Sequence, residues 1–425
     1  MRIIADLHIH SPYSRAVSKE MTLENLDYWA RLKGITVMGT GDFTHPAWIK
    51  EIKTKLEPAE PGLYKLRTAP SLAPPGGAKL GATRFLLTVE ISSIYSKGGR
   101  TRRIHNLIFA PSIETAEKIN AALGWRGNLK SDGRPILGLD AKELAKIVLD
   151  IDERCMIVPC HAWTPWFSVF GSMSGFDSIE ECFDEYSKYI YAVETGLSSD
   201  PAMNWRLSKL DNIALISNSD SHSLQRIGRE ANVFDTELSY DGIVAAIKSH
   251  DPKNFLFTVE FFPEEGKYHY DGHRLCGFSC GPQETKKLNK LCPKCGKPVT
   301  VGVMYRVEEL ADRPAGVKPE GAIPFRSMVP LDEIIAGGLG MGTQAKKVKE
   351  EYRGLVEKVG SEFAVLMDAS KSDLERVTRS EVVEGIARVR EGRVQIEPGY
   401  DGEYGKVKIF SEGERREVAN QTALF

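Results

Sequence analysis

The chain of 425 residues is 42% hydrophobic and 27% charged, with seven cysteines, nine histidines and a formal net charge of −2. This reads as an ordinary globular protein long enough for two or three domains. The near-balance of charge excludes a surface that is basic all over, so any nucleic-acid site has to be a local patch.

Residues 1 to about 260 alternate short β-branched runs with helix-like segments. The strand candidates are 2–7, 35–41, 84–90, 105–110, 155–160, 190–195 and 213–219. A helix is predicted over 22–34, with Thr22 as its N-cap and Gly34 past its end. Others are predicted over 45–57, 113–123, 141–151, 201–210 and 240–249. The alternation predicts an α/β fold with a parallel sheet under covering helices, and seven strands suit a closed or distorted barrel. The Pro- and Gly-rich stretch 56–81 reads as a long surface loop. Cysteines cluster within 262–320, and a linker by composition follows at 313–324. Helices are then predicted at 330–337, 345–359 and 379–391, followed by a hairpin over 393–410 and a polar tail. The Gly-rich run 336–344 has no Lys before Thr343 and reads as a helix stop and turn. No apolar run has membrane-spanning length, and the opening residues lack a signal peptide's apolar stretch. A cytoplasmic monomer with no membrane partner is the expectation.

Chemistry-bearing side chains gather at the ends of the predicted strands, where a parallel barrel brings its loops together. His8 and His10 end the first strand, Asp42 the second with His45 close by, and Glu90 the third. His105 lies on the fourth; His161, Glu194, and Asp220 with His222 follow on the last three. Six of the nine histidines fall at or beside these positions. Strand alternation puts His8 and His10 on one side. Imidazole and carboxylate are ligands for Zn, Mn and Fe, and a carboxylate such as Glu90 can bridge two ions that activate water. A lone buried histidine is ordinarily a hydrogen-bonded core residue. Core packing accounts poorly for the whole set, because each uncoordinated group would have to be buried without a partner.

The segments "DLHIHSPYS" and "NSDSH", with the acidic and histidine positions between them, resemble the polymerase and histidinol phosphatase (PHP) family of metal-dependent phosphoesterases. The resemblance implies a distorted seven-stranded PHP barrel over residues 1–261. It implies two or three divalent ions (Zn, Mn or Mg) held by His8, His10, Asp42, Glu90, His105, His161, Glu194, Asp220 and His222. Glu90, Asp220 and His222 are the expected catalytic residues. The family's Asp-His pair after the second strand is here Gly41-Asp42-Phe43, so Asp42 is expected in the ligand place rather than His45.

Cys276, Cys280, Cys292 and Cys295 read C-x3-C, eleven residues, then C-x2-C. Four thiolates fill a tetrahedral zinc shell, so a closed structural zinc site is predicted for a module at 262–320 too small to have its own core. Cys155, Cys160 and Cys182 read as buried reduced thiols. Lys286 and Lys287 belong to a lysine-rich surround of this module, either a solvated face or a phosphate-contacting patch. Arg100, Arg102 and Arg103 precede His105 and are placed to grip phosphates, with ordinary surface arginines as the alternative. The run from His161 carries Trp163, Trp166 and Phe167 with Gly171 and Ser172, side chains suited to wedging beside or hydrogen-bonding an extruded base. A loop folded onto the barrel is the plainer alternative. The end, "NQTALF", resembles a shortened sliding-clamp-binding box through Gln421, Leu424 and Phe425.

A barrel, a four-cysteine zinc module, a mainly helical region with a hairpin (321–411) and a clamp-like tail (412–425) together resemble the archaeal endonuclease Q family. That resemblance implies a DNA repair hydrolase. It would nick 5′ to a deaminated base (uracil, hypoxanthine or xanthine) or an abasic site, leaving 3′-hydroxyl and 5′-phosphate ends. DNA and the sliding clamp are the implied partners. Two other readings compete. A small-molecule phosphoesterase of histidinol-phosphatase type is disfavoured by the zinc module and basic loops. A non-catalytic DNA- or clamp-binding protein is disfavoured by the complete ligand set.

Overall fold

All seven predicted strand segments form strands in the computed structural model, which describes residues 1–68, 81–411 and 413–414. In chain order the first region contains β1 (Arg2–Asp6), β2 (Val37–Gly39), β3 (Leu56–Pro58), β4 (Tyr64–Leu66), β5 (Arg84–Lys97) and β6 (Arg100–Ala110). There follow β7 (Ile136–Leu137), β8 (Met156–Pro159), β9 (Ala192–Glu194), β10 (Ala214–Ile216), β11 (Ala231–Asp235) and β12 (Phe255–Glu260). The large sheet runs β12-β11-β1-β2-β5-β4-β3, with β6 and β7 also on β5 and β8 on β6. β9 and β10 pair with each other. A bridge between Ile9 and Ser221 brings the segment after β10 beside the segment after β1.

The sheet is mixed rather than parallel. β1/β2 and β2/β5 are parallel, but β5/β6, β6/β8, β1/β11 and β11/β12 are antiparallel. β5 and β6 run on well past their apolar cores and join by the tight Gly98-Gly99 turn, both glycines at positive φ. A turn that short permits only antiparallel pairing. The predicted loop at 56–81 opens instead with the β3–β4 pair, which joins the sheet through Tyr64 and Phe85.

The covering helices include α1 (Leu23–Lys33), α2 (Pro46–Lys55), α3 (Ile113–Gly124) and α4 (Ala141–Ile151). They start where a side chain can cap free backbone amides. Thr22, Ser112 and Asp140 each accept from an amide of the first turn. Gly34 ends α1 at φ 94, the left-handed conformation that favours glycine, and its N–H reaches Ala30 O. Leu26 and Ala30 on α1 are buried against the sheet. Each fully buried leucine contributes roughly 1.5–3 kcal/mol, so Leu26→Ala would loosen this layer most directly. The predicted helix at 201–210 is only one turn, α6 (Pro201–Asn204), after the short α5 (Ile179–Phe183). α7 (Tyr240–Ser249) packs behind β10.

The cysteine region holds β13 (Asp271–His273), β14 (Phe278–Cys280), α8 (Pro282–Lys287) and α9 (Val303–Leu310). Beyond it β15 (Phe325–Ser327) pairs in parallel with β12 and so continues the large sheet. The helical region comprises α10 (Leu331–Leu339), α11 (Lys346–Val359), a π-helical turn at Ala364–Asp368, α12 (Lys371–Glu375) and α13 (Ser380–Arg390), then the hairpin β16 (Gln395–Glu397) and β17 (Lys406–Lys408). Gly340 ends α10 in the left-handed conformation, as the helix-stop reading of that run requires. A buried ion pair, Lys33 Nζ to Glu362 Oε2 at 2.7 Å, ties α1 to this region. The clamp-like residues Gln421, Leu424 and Phe425 lie outside the described residues. No helix among the described residues is long and apolar enough to cross a membrane.

Candidate metal centre

Four imidazoles converge on one carboxylate. Glu90, within β5 and 1% exposed, points Oε1 at His105 Nδ1 (2.6 Å) and His161 Nε2 (3.2 Å). Its Oε2 faces His10 Nε2 at 3.3 Å and His8 Nε2 at 3.6 Å. Each ring has its other nitrogen tied elsewhere. His8 Nδ1 meets Glu194 at 3.0 Å, His10 Nδ1 meets Asp42 Oδ1 at 3.1 Å, His105 Nε2 meets Ser92 Oγ at 3.1 Å, and His161 Nδ1 meets Thr164 Oγ1 at 3.2 Å. Such outer partners fix the tautomer and aim the free lone pair of a metal-binding histidine.

The ligand atoms fall into overlapping groups. His8, His10, Glu90 and Asp220 each place one within 4.8 Å of the others, and so do Glu90, His105 and His161. Glu90 belongs to both, the geometry of a carboxylate shared by two neighbouring ions. A third group, His8, Cys160 and Glu194, lies behind them and is fully buried. His8 Nε2 is buried with no hydrogen-bond partner. A buried nitrogen left without a partner is costly, and a cation between His8, His10, Glu90 and Asp220 would satisfy it. The donor set suits a borderline divalent ion.

Electrostatics agree with that reading. Burial pushes Glu90 upward, but His105 and Arg134 more than offset this, and its carboxyl is held well below the usual range. Asp42 is likewise lowered against burial, by His10. Burial lowers His8 and His10, yet the carboxylates around them outweigh it and leave both well above the ordinary imidazole value, so the site draws positive charge and a bound cation would take the place of those protons. His105 is pulled down by burial to about 4, so its ring is neutral, as a ligand must be.

The predicted ligands do not all meet. Asp42 stands outside every group. Its Oδ2 accepts from Ser11 N, Ser11 Oγ and Ser14 Oγ, and its Oδ1 faces His10, so it orients a ring instead of facing the centre. Glu194 likewise has His8, Asn218 and the His161 amide on its oxygens. His222 sits at the rim, with its ring 4.8 Å from that of His10 and Nδ1 on Asp220 O. His45 stacks on Tyr13 at 4.4 Å, away from the ligand atoms. Asp42, His161 and Asp220 adopt positive φ, the strained turns that bring these side chains inward.

An open cavity of about 660 Å³ leads to the centre, lined in part by His105, His161, Trp166, Phe167 and Arg134. Trp166 is 37% exposed there, and Phe167 lies 4.7 Å from the His105 ring. Trp163 does not reach the cavity: it is buried, bonded to Asn204 and packed on Phe170. Gly171 is buried too, and a Cβ there would run into Thr164 O. Ser172 is half-buried on the same loop. Arg102 lies over the Phe176 ring and bonds Gly175 O, which makes it a brace for this loop. Arg100 is exposed at the hairpin tip, and Arg103 lies 5.8 Å from the Phe167 ring. The loop is also held from the cysteine region, where Arg306 donates to Phe170 O and Phe176 O. Lys286 and Lys287 are exposed and paired with Glu308 and Glu284.

The second cluster differs from its prediction. His273, Cys276, Cys292 and Cys295 bring their ligand atoms within 4.8 Å of one another, while Cys280 turns away to Thr285 Oγ1 at 3.2 Å. The sequence signal was present. His273-Arg-Leu-Cys276 has the same two-residue spacing as Cys292-Pro-Lys-Cys295, and counting cysteines alone passed over it. Arg134 and Ser92 were missed outright, since neither belongs to a motif.

Comparison with known proteins places the chain. A model described as the MJ0043 C-terminal domain matches residues 330–393. Uncharacterized protein MJ0043 of Methanocaldococcus jannaschii is 33% identical over 257 residues, 59% of this chain but only 31% of that protein. Uncharacterized protein YqxK of Bacillus subtilis is 30% identical over 422 residues, covering 96% of this chain and 99% of YqxK. The crystal structure of the lesion-specific endonuclease PfuEndoQ from Pyrococcus furiosus matches 100% of this chain and 99% of its own, with a TM-score of 0.84 and 31% identity. An endonuclease Q bound to a 27-mer duplex with an abasic lesion at its active site matches 97% of this chain and 98% of its own, with a TM-score of 0.82 and 32% identity. Matched from end to end at this identity, the chain belongs to the endonuclease Q family of nucleases.

Proposed function

We propose that this protein is a metal-dependent DNA repair endonuclease that hydrolyses the phosphodiester 5′ to a deaminated base or an abasic site. The observation that carries the reading is Glu90 set between two pairs of imidazoles at the foot of an open cavity. We read residues 1–261 as a distorted PHP barrel whose strand ends supply that constellation. His8, His10, Glu90 and Asp220 would hold one divalent ion, and Glu90, His105 and His161 a second. When bound, the pair supplies positive charge at the scissile phosphate and lowers the pKa of a water. The chain's own residues do the rest. Glu194 and Asp42 keep His8 and His10 turned inward. Trp166 and Phe167 offer faces for an unstacked nucleotide at the cavity wall. His273, Cys276, Cys292 and Cys295 would hold a structural zinc that keeps α9, and with it Arg306, against the aromatic loop.

The test is nicking of duplexes carrying uracil, hypoxanthine, xanthine, an abasic site or no lesion, with and without chelator, read at nucleotide resolution. Metal-dependent breaks 5′ to the lesion are expected. Turnover of a small phosphate monoester with no action on any duplex would sink the reading.

A further inference from the structure

The cavity holds a cation that the metal-ligand pattern leaves unexplained. Arg134 lies between β6 and α4, on the segment that leads into β7, far in sequence from every candidate ligand. Two staples hold that segment over the centre. Gly133 N donates to Tyr13 O at 3.1 Å, and Gly133 itself packs so tightly on Asp42 and Ser14 that a Cβ would overlap both. On the other side Ser92 N donates to Pro135 O at 3.0 Å, and Ile136 pairs with Ser92, two residues beyond Glu90. Arg134 is therefore fixed between the turn that carries Asp42 and the strand that carries Glu90. Its Nη1 lies 3.1 Å from Glu90 Oε2, and the side chain is 26% exposed where it lines the cavity.

We infer that Arg134 is a phosphate-binding catalytic residue, whose guanidinium holds a non-bridging oxygen of the scissile phosphate. The inference rests on the nuclease reading above and adds a residue to it. One of the guanidinium's five N–H donors meets Glu90, and the side chain lines the cavity. The divalent ions proposed above would take over the neutralisation of that carboxylate. A guanidinium beside two cations is then repelled unless an anion joins it. A phosphodiester entering the cavity is that anion, and the planar fork matches its two free oxygens. In hydrolysis the water oxygen bonds to phosphorus, the bond from phosphorus to the 3′ oxygen breaks with its electron pair left on that oxygen, and the proton given up by the water is balanced by one taken from solvent to form the 3′-hydroxyl. Arg134 changes no bond of its own and meets the charge that gathers on the equatorial oxygens. The predicted grip by Arg102 is unavailable, because that side chain braces the aromatic loop.

The test compares wild type with Arg134→Gln and Arg134→Lys, all loaded with Mn²⁺. It measures nicking of an abasic duplex, bound manganese, and the rise in melting temperature caused by inorganic phosphate. Arg134→Gln is expected to nick about a hundredfold more slowly or worse, to keep its manganese, and to lose the phosphate-induced rise. Arg134→Lys keeps the charge and covers the case in which the Gln variant does not fold; loss of the phosphate response with manganese retained supports the inference there too. A variant that nicks and responds to phosphate as wild type does would overturn it. So would a variant whose slow nicking is matched by loss of manganese, since Arg134 would then only support the ligands. A wild-type protein that nicks nothing would refute the nuclease reading, and the phosphate response would still decide the role of Arg134.

Discussion

The two ligand clusters of this molecule are built in opposite ways. Around Glu90 the ligands come from positions spread between His8 and Asp220, are largely buried, and are each aimed by a second partner. In the cysteine region four donors lie within His273–Cys295, and Cys295 is exposed. The first cluster is made by the sheet and opens on a cavity, so the strands and their register set its geometry. The second has little sheet or core beneath it and closes on itself, so an ion held there would supply its order. An open centre serves chemistry, while a closed knuckle serves folding.

The contrast is broken first at the knuckle. His273→Ala should release zinc and melt β13 through α9, since a structural zinc contributes on the order of 10 kcal/mol. Cys280→Ser should keep both metal and fold. Zinc content and amide exchange across 271–310 report this, and retained zinc in the His273 variant would restore the four-cysteine site. Next comes Glu90→Gln, which preserves shape but removes the shared charge. Single-turnover nicking should fall by about 10³-fold or more while the melting temperature holds. Asp42→Asn should cost less, about 10–100-fold in manganese affinity, because it aims His10 without facing the centre. A loss as large as that of Glu90→Gln would return Asp42 to the ligand set.

The smallest effect lies beneath the centre. Glu260 is fully buried, bonded to Thr195 and Ser217, and burial pushes its carboxyl up to about 8. The folded protein then keeps a proton that the unfolded chain gives up near its ordinary value of 4.5. That stabilisation is complete below the unfolded value and is lost as pH rises toward 8. Glu260→Gln should flatten this fall, raising the melting temperature by a few degrees at pH 9 and little at pH 5. An unchanged pH profile would contradict the assignment.

How far the sequence led follows from the same physics. Strand ends were readable because β-branched runs are short and their terminal polar residues stand out. His8 and Asp220 meet for that reason. His105 reaches the centre for a different one. It sits inside β6, which runs antiparallel to β5, and register alone brings it opposite Ser92, two residues from Glu90. Residue type could not distinguish Asp42, which aims a ring, from Asp220, which faces the centre, because that depends on which oxygens the neighbouring serines occupy. Aromatic and basic composition did not separate Trp166 from the buried Trp163, or a free arginine from Arg102. Arg134 had no motif to betray it.

The central proposal is that Glu90 would be shared by two ions. Anomalous diffraction from crystals soaked in Mn²⁺ tests it most directly. The account predicts two peaks roughly 3.5–4 Å apart on either side of Glu90, one near His8, His10 and Asp220 and the other near His105 and His161. A single peak away from Glu90, or none between these side chains, would contradict it.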